Sequence, residues 1–137
     1  ATMRTIAITF AVLATLAVAS AAGPVILTDD TFESSTAEGN WFVKFYAPWC
    51  GHCKRLAPTW DRLADDLGRD DLKVGKVDCT QHRTTCGGQG VRGYPTLKLF
   101  KEGSESVKYQ GGRDFDSFAT WLNTELGPAA AAGGDDL

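Results

Sequence analysis

Cys50 and Cys53 stand on either side of Gly51-His52, directly after an apolar and aromatic run that begins at Trp41. Two thiols three positions apart either close a short disulfide or help to hold a metal ion. Their place in the chain favours exchange chemistry. A helical pattern starts here, which puts Cys50 among the unpaired N–H groups of a helix N-terminus. Such a position stabilises a thiolate and lowers a cysteine pKa to about 3.5–7.5 from about 8.5. Cys53 comes round nearly one turn later and is sheltered by the helix, so it is placed to resolve a mixed disulfide rather than to start one. Gly51 adds no bulk toward an approaching chain, and a positive charge on His52 near neutral pH would favour the thiolate further. Stabilising the reduced pair makes the oxidised pair the stronger oxidant. The alternative is a zinc site drawn from Cys50, Cys53, Cys79, Cys86, His52 and His82. The six residues between Cys79 and Cys86 are a poor zinc spacing. The expectation is therefore no metal and no cofactor.

The elements that position these thiols follow from periodicity. Trp41 to Tyr46 is apolar except for Lys44, as a central strand covered on both faces should be. Leu56, Trp60, Leu63 and Leu67 then form one helical stripe, with Pro58 inside it removing an intrahelical donor. Val25-Ile26-Leu27 reads as a short first strand, followed by a helix around Phe32 that Thr28 or Asp29 can cap. Leu72 to Asp78 reads as a strand interrupted by Gly75, and Gln81 to Cys86 as a short helix. Thr96–Phe100 and Ser106–Tyr109 flank Glu102-Gly103-Ser104 as a hairpin. Phe115, Phe118, Leu122 and Leu126 mark a last helix, capped by Asp114 and stopped at Gly127-Pro128. The order βαβαβαββα implies an α/β domain, a central sheet flanked by helices.

Phe45-Tyr46-Ala47-Pro48-Trp49-Cys50-Gly51-His52-Cys53-Lys54 resembles the active-site signature of the protein disulfide isomerases. Val91-Arg92-Gly93-Tyr94-Pro95-Thr96 resembles that family's second signature, and the similarity spans residues 25–126. Val77-Asp78-Cys79-Thr80, followed by Cys86, is most similar to one domain of the endoplasmic-reticulum member with three tandem thioredoxin domains. The resemblance implies a thioredoxin fold and a thiol–disulfide oxidoreductase that forms disulfides and, more weakly, reduces or isomerises them. It implies Cys50 as the attacking and Cys53 as the resolving cysteine, and Pro95 as a cis-proline facing them. It also implies that the Tyr94 backbone pairs with an extended substrate beside Trp49. By the same resemblance Cys79 and Cys86 form a structural disulfide, and Arg92 approaches the buried cysteine to ease its deprotonation. A loop arginine exposed on the surface is the other reading of Arg92. At Lys44 the chain departs from most relatives, which carry Glu as a proton acceptor for the second cysteine; some related domains have Lys. Two readings of Lys44 stand open: a buried ammonium that relays protons or stabilises the Cys53 thiolate, and a lysine that snorkels to the sheet edge.

The ends point to a compartment. Met3-Arg4, the apolar Ile6–Val18 and the small residues Ala19-Ser20-Ala21 have the pattern of a secretory signal peptide over 1–21, with Ala1-Thr2 as a translation remnant. The apolar run is too short for a stable membrane span, which needs about 20 residues. The thioredoxin domain is expected over 22–127, and 128–137 as a flexible acidic tail. Gly134-Asp135-Asp136-Leu137 resembles an endoplasmic-reticulum retention address at two of its four positions. Retention in that lumen and secretion both stand open. The net charge of −3 argues neither for a nucleic-acid surface nor for an acidic-membrane surface, and no nucleic-acid partner is expected. Expected partners are reduced or misfolded secretory clients, with glutathione or an oxidase as redox partner, met by a monomer. The competing function is a secreted thioredoxin-fold binding or chaperone module whose redox activity is incidental.

Overall fold

The computed structural model describes residues 23–104 and 106–129. The expected leader and nearly all of the expected tail lie outside the described residues. Among the described residues nine elements follow the expected order: β1 (Val25–Ile26), α1 (Phe32–Thr36), β2 (Asn40–Tyr46), α2 (Gly51–Asp66), β3 (Leu72–Asp78), α3 (Arg83–Gly88), β4 (Thr96–Lys101), β5 (Val107–Lys108) and α4 (Phe115–Leu126). The strands form one mixed sheet in the order β1-β3-β2-β4-β5. β2 is its centre, parallel to β3 and antiparallel to β4. This is the thioredoxin fold.

Alternation along β2 divides the core. Phe42 faces Trp60, Leu63, Phe118 and Leu122, so α2 and α4 cover that face of the sheet. Trp41, Val43 and Phe45 face Phe32, Cys79 and Cys86, so α1 and α3 cover the other. The near-continuous apolar run is thus the mark of a strand buried on both sides. Gly75 does not interrupt β3. A Cβ there would meet Leu27 Cδ1 at 2.9 Å and Trp41 at 3.3 Å, so glycine lets two core side chains close over the strand. The Trp60 indole N–H donates to the Gly75 carbonyl at 3.0 Å, which satisfies a buried donor at the same point.

Helix ends show where the sequence reading was right and where it was not. Asp114 caps α4, accepting from Ser117 N–H at 2.9 Å, and Gly127 ends that helix at φ 81°. The N-cap of α1 is Thr31, and neither Thr28 nor Asp29 caps it through a side chain. Asp29 instead accepts from the N–H and hydroxyl of Thr85, at 2.8 and 2.6 Å. It therefore caps α3 from 56 residues away, a tertiary partnership that local periodicity does not encode. Arg69 is likewise buried, paired to Asp71 and donating to Asn123 Oδ1 and the Gly127 carbonyl at 2.8 Å each, which ties the turn before β3 to the end of α4.

Candidate active site

β2 ends at Tyr46, and the chain turns at Ala47–Cys50, where Cys50 N–H donates to the Ala47 carbonyl at 3.1 Å. Cys50 is the N-cap of α2 and is half-buried, while Cys53, in the first turn, is 3% exposed. Both are free thiols. The neutral Cys50 thiol makes no cap hydrogen bond. Its pKa is nevertheless held below the ordinary cysteine value, chiefly because the Cys53 N–H and side chain, and then the His52 N–H, stabilise the thiolate, with the charge of Arg113 adding to them. Burial pushes the Cys53 thiol the other way, opposed by the Lys44 charge. One thiol is half-open with its thiolate favoured; its neighbour is covered with its thiol favoured.

The second signature meets the first across space. Cys50 Sγ donates to the Tyr94 carbonyl at 3.6 Å, and the Tyr94–Pro95 peptide bond is cis. Trp49, 68% exposed, stands edge-on to the Tyr94 ring at 5.9 Å between centroids. Gly51 has open space where a Cβ would be. His52 is exposed, and Arg55 Nη2 lies 3.3 Å from its Nδ1. His52 favours the Cys50 thiolate through its backbone N–H, and Arg113 supplies a positive charge.

Lys44 is 3% exposed in the middle of the sheet, which excludes the snorkelling reading. It shares a cavity of about 140 Å³ with Tyr46, Ala47, Cys53, Asp61 and Lys76. Its Nζ lies 5.0 Å from the Tyr46 ring centroid and 6.0 Å from that of Trp60. Desolvation, and then the like charge of Lys76, pull its pKa down to about 8, against Asp61 and Cys53, which hold it up. Asp61 was not foreseen. Its position eight residues after Cys53, with Ala57 midway, is the signal that places a carboxylate on the same face of α2.

Arg92 does not join this group. It is exposed and lines a separate groove with Gly93, Tyr94, Pro95, Lys98 and Lys108, and it is not among the charges acting on Cys53. Cys79 and Cys86 are joined in a disulfide and are 4% and 5% exposed, between the end of β3 and α3. Its burial separates it from Cys50. On adding dithiothreitol stepwise to the oxidised protein, Cys50–Cys53 should open first while Cys79–Cys86 persists, as structural disulfides have potentials below about −300 mV. Peptide mapping after each step reads the order, and simultaneous opening would contradict it. Among the described residues no group of three or more His, Cys, Asp or Glu is arranged to hold a metal, and no helix is long and apolar enough to cross a membrane.

The thioredoxin family pattern matches residues 23–124. The chain is 50% identical over 111 residues to the thioredoxin domain-containing protein 5 homolog of Drosophila melanogaster, covering 79% of this chain and 27% of that protein. It is thus about a quarter of the length of such relatives. It is 38% identical over 130 residues to protein disulfide isomerase-like 5-1 of Oryza sativa subsp. japonica, covering 93% of this chain and 88% of that one. Among solved structures, the Trx4 domain of ERdj5 superimposes with a TM-score of 0.69 at 32% identity, over 76% of this chain and 96% of that domain. Family pattern, isomerase relatives and the paired thiols at the head of α2 agree: the chain belongs to the thioredoxin family, among its protein disulfide isomerase members.

Proposed function

We propose that this domain forms disulfides in proteins of the secretory pathway through Cys50 and Cys53, and catalyses reduction and isomerisation more weakly. The observation that carries the reading is the opposed pair of thiols: Cys50 half-open with its thiolate favoured, Cys53 buried with its thiol favoured, beside the Tyr94 carbonyl. In the oxidised domain a client thiolate attacks Cys50 Sγ, the Cys50–Cys53 bond breaks, and Cys53 leaves as the thiolate. A second client thiolate then attacks the client sulfur of the mixed disulfide. The client disulfide forms and Cys50 leaves as the thiolate that the helix start stabilises. Two electrons have passed from the client to the domain with every sulfur kept by its own chain, and glutathione disulfide or an oxidase takes the electrons up in turn.

Within this reading Tyr94 holds the client backbone by its main-chain groups, with Trp49 and Pro95 as the walls of the site. Gly51 leaves the approach open. Lys44 acts on Cys53, taking its proton when the thiol must attack and returning one when it leaves, with Asp61 in the same cavity as a further acceptor. Arg92, on the other side of Pro95, acts on the client rather than on Cys53. The Cys79–Cys86 bridge fastens α3 to the sheet. The leader-like segment 1–21 supports an endoplasmic-reticulum lumen setting, with the terminal Gly-Asp-Asp-Leu as a weak retention address.

The test couples two assays. The domain should speed disulfide formation in a reduced dithiol peptide, with the Cys50–Cys53 couple near about −180 mV, rather than thioredoxin's value of about −270 mV. It should also precipitate insulin B chain under dithiothreitol, more slowly than thioredoxin does. Peptide oxidation no faster than with buffer alone would overturn the proposal.

A further inference from the structure

The groove that holds Arg92 also holds Lys98 and Lys108, and its volume is about 420 Å³. None of the described residues lining it is acidic. Lys98 and Lys108 stand directly opposite each other across the β4–β5 pair, an arrangement that costs stability because like charges repel at that separation. Among the described residues none of the three cations has an ion-pair partner; the basic residues that do are Arg62, Arg69, His82 and Lys101. Lys98 Nζ donates to the Gln89 carbonyl, which fixes its ammonium at the groove. A lysine on a short edge strand guards against strand pairing, and that accounts for Lys108. It does not account for Arg92 in the loop or for Lys98 pinned to Gln89. The chain as a whole carries −3, so this positive density runs against the overall balance.

Location gives the charge a use. Tyr94 and Pro95 form one wall of the groove, and the Tyr94 carbonyl is the acceptor for Cys50 Sγ. A chain seated at Cys50 and running along the Tyr94–Pro95 wall would meet Arg92, Lys98 and Lys108, which line the same groove. We propose that this groove recognises acidic segments of client polypeptides and so biases the domain toward cysteines flanked by Glu or Asp. The proposal rests on the exchange reading of the Cys50–Cys53 site. A concave surface of one sign focuses its field on the approaching chain and sets partner choice more than raw affinity.

Two labelled peptides of one sequence, with the cysteine replaced by serine, one flanked by glutamates and one by glutamines, read binding without any exchange step. A failure of the redox reading therefore leaves this test intact. Fluorescence anisotropy should show the glutamate peptide binding about fivefold more tightly at low salt, as a few exposed ion pairs allow. The preference should vanish near 0.5 M salt, where the screening length falls to about 4–5 Å. Lys98→Gln/Lys108→Gln should abolish the preference, and Lys108→Gln alone, at an exposed position, should reduce it by about half. The bound glutamate peptide should also slow alkylation of Cys50 in the reduced domain. Equal affinity for the two peptides at low salt would overturn the proposal. So would a preference that persists in both variants, or one that leaves Cys50 alkylation unchanged.

Discussion

Cys50→Ser is expected to reduce peptide oxidation and insulin reduction to the uncatalysed rate, a loss of about a thousandfold or more, because a hydroxyl at this site offers no thiolate and forms no disulfide. Cys53→Ser should behave differently. It leaves the attacking sulfur in place and removes the one that resolves, so mixed disulfides with the client should accumulate. The pKa directions make the assignment testable in the parent protein as well. The fold lowers the pKa of Cys50 and raises that of Cys53, so limited alkylation at mildly acidic pH should label Cys50 first. Labelling of Cys53 should become significant only at alkaline pH. The same directions set the redox consequence. The fold's stabilisation of the Cys50 thiolate is present in full above the ordinary cysteine pKa. It is lost as pH falls through the lowered folded value. The reduced domain is therefore favoured most, and the oxidised domain is the strongest donor of disulfides, at the alkaline side of that window. First labelling at Cys53, or residual turnover by Cys50→Ser above background, would show that the roles have been assigned to the wrong sulfurs.

The parts legible in the sequence are those that local pattern controls. The continuous apolar run of β2, the stripe Leu56-Trp60-Leu63 and the Asp114 cap each state their structure within a few residues, and the order of elements followed. The resemblance of two short signatures implied a cis Pro95, and the Tyr94–Pro95 bond is cis; that the Tyr94 carbonyl accepts from Cys50 Sγ was not read from them. What was hidden depends on partners far along the chain. Asp29 spends its carboxylate on Thr85 rather than on its own helix, because an unpaired N–H at the start of α3 is a stronger call on it than α1, whose start is already served by the Thr28 carbonyl. Arg113 precedes α4 and acts on Cys50 63 residues earlier, which no spacing rule marks. Arg55 reaches the His52 ring from the next turn of the same helix, a pairing at i and i+3 that helical spacing allows. Lys44 could be read either way until the register placed it between β3 and β4.

Lys44→Met is expected to stabilise the reduced domain at neutral pH while slowing its chemistry. In the fold Lys44 lies under Tyr46 and Trp60, opposite Lys76 in the neighbouring strand, and no hydrogen bond or ion pair reaches its Nζ among the described residues. Its pKa falls from 10.5 to about 8. Between those two values the unfolded chain binds the proton that the folded chain has released, so stability rises with pH across that window and the full penalty stands below it. Methionine has a similar length and no charge to desolvate. Chemical denaturation at pH 7 should therefore show a gain of about 1–3 kcal/mol, and the gap should narrow toward pH 10. A stabilising substitution kept out of the natural sequence is what a functional charge predicts. The resolving step should slow by about tenfold, with mixed disulfides persisting, if the Lys44 amine moves the Cys53 proton. Lys44→Glu separates the two ways in which the residue can act. A carboxylate restores a proton acceptor beside Cys53, so recovery of the resolving step would assign Lys44 to proton transfer. It cannot stabilise a thiolate by its charge, so a rate below that of Lys44→Met would assign the ammonium to electrostatic support of Cys53. Unchanged stability together with unchanged turnover in Lys44→Met would remove Lys44 from the mechanism and leave Asp61 as the group in that cavity able to take the proton.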